Sequence, residues 1–136
     1  MTEGKNPLAT ALGVYAPTHF VIAAIDDPAT ATGALAALKA AGFADAAVEL
    51  CPGSQFLKNY RDFVDHRSLG ERVEGLFPSE EQAAAKEYLA EAERGASFVT
   101  VHAPQRAERD RARDILSAHG GHAMRYYGDN SITDLG

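Results

Sequence analysis

Histidines and a single cysteine are the side chains of this chain best suited to metal binding or catalysis. His119 and His122 stand three residues apart in the stretch HGGHAMRYYG, and imidazole is a common metal ligand. A metal-binding pair at this spacing normally shares one face of a helix, whereas Gly120 and Gly121 interrupt that face. We therefore interpret the stretch as a helix-to-strand junction, and the sequence predicts no metal site.

Two other groups could do chemistry. Asp26 and Asp27 are adjacent carboxylates, which can bind metals or transfer protons. Asp27 precedes Pro28, however, so it is better explained as the N-cap of a helix, with Asp26 in solvent. Cys51 has no base beside it in the sequence and is interpreted as a packed small residue.

Recognisable catalytic motifs are missing from the sequence: GxGxxG, GxxxxGK[ST], HExxH, GxSxG and CxxC. The sequence thus predicts no catalytic residues. An enzyme would have to use a constellation that only the fold assembles.

The elements that position these residues repeat along the chain. Short apolar strands are predicted at 19–25, 46–51, 96–104 and 122–128, and a helix ended by glycine joins each pair. A shift of 78 positions aligns Phe20 with Phe98 and Gly42 with Gly120. Between the two units the sequence predicts helices at 54–67, 69–77 and 80–94.

Two strand–helix–strand units favour a ferredoxin-like α+β fold, βαβ-(helical insertion)-βαβ. The predicted sheet has four antiparallel strands with helices on one face. Residues 1–18 are expected to form a loose N-terminal arm, and residues 19–136 a single domain with its helical insertion at 54–95.

Alternation along the strands separates two faces of this sheet. One set is almost wholly apolar and is assigned to the helix-covered core: Val21, Ala23, Ile25, Val48, Leu50, Val99, Val101, Met124 and Tyr126. The opposite face mixes apolar and polar residues, and the candidate ligand-binding residues on it are His102, Arg125, Tyr127, Glu49, Phe20 and Phe98. Insertion helices, a second subunit or a small ligand could cover this face.

Charge and composition restrict the possible partners. The net charge of −6 argues against nucleic-acid binding, and no stretch reaches the length of a membrane span. A single cysteine and the absence of a secretory signal pattern predict a cytoplasmic protein.

The two halves also resemble a known family. AAIDDPATATGALAALKAAGF and FVTVHAPQRAERDRARDILSAHGGHAMRYYG are similar to the general-stress-protein family of YflT-like bacterial proteins. The likeness covers 19–51 and 96–135, about half of the chain. It implies a small α+β bacterial protein linked to stress, and it carries over no catalytic residues.

The expected function is that of a non-enzymatic, stress-associated protein that forms a dimer or oligomer through the open sheet face, without a cofactor. The alternative is a small-molecule-binding protein that uses this face near His102, with haem or another flat hydrophobic molecule as its ligand. A third possibility is a small dimeric enzyme of the α+β-barrel kind.

Overall fold

Two strand–helix–strand units with helices between them follow one another along the chain, as the sequence predicts. The computed structural model describes residues 18–65, 79–128 and 132–135. The elements are β1 (Phe20–Ile25), α1 (Pro28–Ala40), β2 (Val48–Pro52), α2 (Gly53–Asp65), α3 (Ser79–Glu93), β3 (Ser97–His102), α4 (Arg106–Ala118), β4 (His122–Tyr127) and β5 (Ile132–Asp134). A short 3-10 helix, Asp45–Ala47, precedes β2. The predicted arm up to residue 17 and the predicted helix at 69–77 lie outside the described residues.

The strands form one antiparallel five-stranded sheet in the order β2-β3-β1-β4-β5. The predicted number of four strands is therefore wrong by one. The additional strand pairs with β4, where Ile132 stands opposite Tyr127. It has only three residues, Ile132–Asp134, which is too short for alternation to be recognised in the sequence.

Helix α1 begins where its sequence predicts. The Asp27 carboxylate accepts hydrogen bonds from the backbone N–H and the hydroxyl of Thr30, both at 2.9 Å. Pro28 occupies the first turn, where its missing N–H costs no hydrogen bond. Gly42 follows the helix with a φ of 110°, a conformation that favours glycine.

Helices α1 and α4 cover the apolar face of the sheet. Leu38 of α1 and Leu116 of α4 are fully buried against Val21, Val99 and Val101. All nine residues that alternation assigns to this core belong to it or pack against it.

Helices α2 and α3 cover the opposite face, so the prediction of helices on one face only is wrong. Phe56 of α2 and Tyr88 of α3 are fully buried against Phe98 and Ile22. Burial of a side chain such as Phe56 stabilises the fold by about 1.5–3 kcal/mol, which is why the insertion closes over a face that is itself largely apolar. The sheet is thus the middle layer of three.

None of the described helices is long and apolar enough to cross a membrane.

Candidate functional site

The six residues that the sequence nominates for ligand binding lie on one face of the sheet. Phe20 stands opposite His102 on one side and opposite Tyr127 on the other. The next two rows of the same face contain the other three residues: Glu49, Arg125 and Phe98. Alternation along the strands therefore brings the set together, on the face that α2 and α3 cover.

The aromatic members of the set are packed into the core between the sheet and these helices. Phe20 is fully buried and stacks on Tyr127, with the ring centroids 4.8 Å apart and the planes 3° from parallel. Phe98 is also fully buried, with its ring centroid 4.9 Å from that of Phe56 and 5.6 Å from that of Tyr88. The rings of Phe20, in β1, and Phe98, in β3, are thus part of the hydrophobic core. A ligand at this face would instead contact the polar residues around them.

Two of the polar residues carry buried nitrogen atoms with unused hydrogen-bonding capacity. Within the described residues, Nδ1 of His102 and Nη1 of Arg125 are buried and have no hydrogen-bond partner. Most buried polar groups of native proteins do have a partner. An unsatisfied one costs about 1–3 kcal/mol, so these two atoms are the strongest indication of a ligand at the predicted site.

Arg125 also links β4 to α3. Its Nη2 donates a hydrogen bond to Oε1 of Glu87, and its guanidinium lies 5.2 Å from the ring centroid of Tyr88. The Tyr88 hydroxyl in turn donates a 2.7 Å hydrogen bond to the carbonyl of Ala123 in β4. The covering helix is thereby held to the sheet by polar contacts as well as by its apolar residues.

Glu49 and Cys51 lie on the edge strand β2. Burial, followed by the negative charge of Glu49, raises the pKa of the Cys51 thiol to about 11. The thiol is therefore protonated at neutral pH, which makes it a poor nucleophile.

A second polar cluster surrounds His122. The sequence predicted that this residue lies in a helix-to-strand junction, and it assigned the residue no function. Ile22 pairs with Arg125, but Ala24 pairs with His122, so β4 contains an irregularity of the β-bulge type between these pairs. Ala123 lies inside the irregularity with a φ of 53°. The extra residue turns the His122 side chain to the α3 face, whereas regular alternation would have placed it on the other.

His122 contacts two carboxylates from other elements. Its Nε2 lies 2.9 Å from Oε1 of Glu91, in α3, and 3.5 Å from Oδ1 of Asp26, just after β1. Glu91 is buried, with its side chain only 8% exposed, and its other oxygen forms a 2.8 Å salt bridge with Arg94. Asp26 is largely exposed, as the sequence predicts.

The surroundings of His122 favour its charged form. Burial lowers the pKa of the imidazole, but the hydrogen bonds to Glu91 and the Gly120 carbonyl, with the charges of Glu91 and Asp26, outweigh burial and raise it above its ordinary value. Nδ1 lies 3.3 Å from that carbonyl, which can only accept, so Nδ1 is the donor. The other ring nitrogen, Nε2, faces the two carboxylates.

His119 does not join this cluster. It is the C-cap residue of α4, and its Nδ1 donates a 2.9 Å hydrogen bond to the carbonyl of Ile115. A Cβ atom on Gly33, in α1, would lie 3.9 Å from its ring, so His119 faces the α1 side of the sheet. The two histidines of HGGH thus have different partners on different sides of the sheet.

Comparisons with family models, with curated proteins and with solved structures find no match to this chain.

Proposed function

We propose that the protein is a non-enzymatic binding protein with a ferredoxin-like core, and that its ligand is a small organic molecule held near His102 and Arg125. The proposal rests on one observation: both side chains carry a buried nitrogen atom that has no hydrogen-bond partner within the described residues. A ligand with an acceptor for Arg125 and a complementary hydrogen-bonding group for His102 would complete these hydrogen bonds and offset the cost of burying the two groups.

The strand order supports the ferredoxin-like part of the proposal. The four longer strands follow the order β2-β3-β1-β4, with β1 and β3 antiparallel in the centre of the sheet. Each half consists of a strand, a helix and a strand, as a ferredoxin-like domain requires. In this description β5 is an addition to one edge, and α2 with α3 is an insertion between the halves.

The chemistry of the two side chains selects the class of ligand. Nη2 of Arg125 is bonded to Glu87, so Nη1 is the donor that a ligand would use, and a carboxylate oxygen is the acceptor that forms the strongest hydrogen bond with a guanidinium. On a regular sheet the Cα atoms of His102 and Arg125 lie about 12 Å apart, since they are separated by two strand spacings and two residues. A ligand that reaches both is therefore an organic molecule with a carboxylate, and a tetrapyrrole is one member of this class.

The other expected function, a dimer or oligomer, has a weaker structural basis. It was expected to form through an open sheet face, but Phe20, Ile22 and Phe98 on that face are fully buried within one chain. Stress association rests on the family resemblance, and we propose it on that basis alone. Light scattering of the full chain tests the oligomer, for which a dimer mass is the supporting result.

Binding is tested with two flat molecules that carry carboxylates, haemin and biliverdin. Titration into the full chain is followed by absorption and by the melting temperature, and we expect one of them to bind with one molecule per chain. His102→Ala is expected to weaken binding by about tenfold or more, because it removes one of the two side chains proposed to form hydrogen bonds with the ligand. His119→Ala is the matched control and should bind as the unmodified chain does. Absence of binding by both molecules, or equal binding by His102→Ala, contradicts the proposal.

A further inference from the structure

Three potential metal ligands from three separate elements converge at the end of the sheet where β1 finishes. They are Asp26, Glu91 and His122, each of which offers one ligand atom, and these three atoms lie within 4.8 Å of one another. We propose that these residues form a binding site for a divalent transition-metal cation of the zinc class. The site is distinct from the proposed ligand site at His102 and does not depend on it.

The two distances from His122 to the carboxylates are close to those in a zinc site. Zinc bonds to nitrogen and carboxylate oxygen are about 2.0–2.2 Å long, so two ligand atoms in a tetrahedral site lie roughly 3.3 Å apart. The imidazole nitrogen of His122 is 2.9 Å from the Glu91 oxygen and 3.5 Å from the Asp26 oxygen. These two distances bracket the required value, and the ligand atoms of the two carboxylates lie within 4.8 Å of each other.

Groups outside the cluster hold two of the ligands in the orientation that metal binding requires. Nδ1 of His122 donates to the Gly120 carbonyl, which fixes the ring and directs Nε2 towards the carboxylates. Arg94 binds Oε2 of Glu91 and leaves Oε1 directed at the same point. Such outer partners, a carbonyl for the histidine and a hydrogen bond for the carboxylate, are characteristic of metal sites.

The donor set and the charges select the kind of cation. One imidazole nitrogen with two carboxylate oxygens suits zinc, cobalt or a similar metal, whereas magnesium and calcium prefer oxygen alone. With His122 neutral, the two carboxylates and Arg94 leave a single net negative charge beside the metal. Glu91 supplies a buried ligand and Asp26 an exposed one, so the cation would enter from the solvent side at Asp26. Three protein ligands leave a fourth position for water.

A proton competes with the cation for the same nitrogen. Glu91 and Asp26 face the imidazole with negative charge and stabilise its protonated form, while Arg94 partly offsets them. Metal binding requires the deprotonated imidazole, so each bound cation displaces a proton from Nε2. The affinity is accordingly expected to fall as the pH is lowered.

The test is a calorimetric titration of Zn²⁺ into the full chain at neutral and at mildly acidic pH, repeated with Co²⁺ to record its visible absorption spectrum. We expect one cation per chain and weaker binding at the lower pH. His122→Ala should weaken zinc binding by more than about 100-fold, since loss of an outer partner alone typically costs 10–100-fold. Asp26→Asn should weaken it by about tenfold or more, and because Asp26 is exposed this variant is expected to fold normally.

His119→Ala is the matched control, because it removes a nearby histidine that has other partners. It should keep the affinity and the cobalt spectrum of the unmodified chain. The proposal is overturned if the chain shows no saturable zinc binding, if Asp26→Asn binds as tightly as the unmodified chain, or if His119→Ala reduces the affinity as much as His122→Ala.

Discussion

Replacement of Tyr88 by phenylalanine tests how the second face of the sheet is closed. Tyr88 of α3 is fully buried, and its hydroxyl donates a 2.7 Å hydrogen bond to the carbonyl of Ala123. Tyr88→Phe removes the hydroxyl alone and keeps the ring, whose edge-to-face contact with Phe98 has a centroid distance of 5.6 Å. The substitution therefore isolates the polar link between the covering helix and β4.

The expected cost follows from the burial of this hydrogen bond. Removing the donor leaves the part-buried carbonyl of Ala123 without its partner, and the loss of such a hydrogen bond costs about 1–3 kcal/mol. Each kcal/mol lowers the melting temperature of a chain of this size by about 3–5 °C, so a decrease of about 3–15 °C is expected.

Chemical denaturation measures the change in unfolding free energy, and calorimetry measures the change in melting temperature. A companion variant, Ala123→Gly, keeps the carbonyl and removes the side chain from a residue with a φ of 53°, so its stability is expected to stay the same or rise. A loss below about 0.5 kcal/mol for Tyr88→Phe, which is the usual range of surface substitutions, would refute the reasoning.

Further predictions concern a thiol, two glycines and a histidine. Because the pKa of Cys51 is raised to about 11, a thiol reagent at neutral pH should modify the folded chain much more slowly than the unfolded chain. Gly53→Ala should lower the unfolding free energy by about 1–3 kcal/mol or more, since its Cβ would lie 2.2 Å from the carbonyl oxygen of Ala96. Gly33→Ala, a matched helical change whose nearest neighbour would be 3.9 Å away, should instead raise it by about 0.5–1 kcal/mol. The folded-state pKa of His122 is raised above 6.5, so its contribution to stability is complete below that pH and is lost as the pH rises through the folded-state value. A series of unfolding curves against pH should show this loss, and His122→Ala should abolish it.

Local signals predicted much of the fold. Asp27 and Pro28 mark the start of α1 by capping chemistry that involves only neighbouring residues. Alternation placed His102, Arg125 and Phe20 on one face, because side-chain direction in a regular strand depends on position alone. Features of this kind are readable from the chain without knowledge of its tertiary contacts.

The covering of the second face could not be predicted in the same way. The amphipathic pattern of α2 shows that Phe56 is buried, but it does not say against what. Insertion helices and a second subunit would bury the same residues, and only the tertiary structure distinguishes the two. The sequence therefore left open whether insertion helices or a second subunit cover this face, and the prediction that helices cover only one face of the sheet was wrong.

The cluster at His122 was missed for a different reason. Regular alternation puts His122 on the α1 side of the sheet, and the irregularity at Ala123 reverses it. An alanine with positive φ has no sequence signature, because glycine is the residue that usually marks this conformation. His119 and His122 are close in sequence, but they do not form a metal-binding pair. Glu91, which does contact His122, lies 31 positions away in the sequence.

The most direct test of the proposed binding function is native mass spectrometry of the full chain, purified without denaturants and then mixed with haemin or biliverdin. The account predicts a complex with one molecule per chain for the unmodified protein and for His119→Ala, and a reduced population of that complex for His102→Ala. A spectrum that shows only the ligand-free chain with both molecules, or a complex that persists unchanged in His102→Ala, would contradict it.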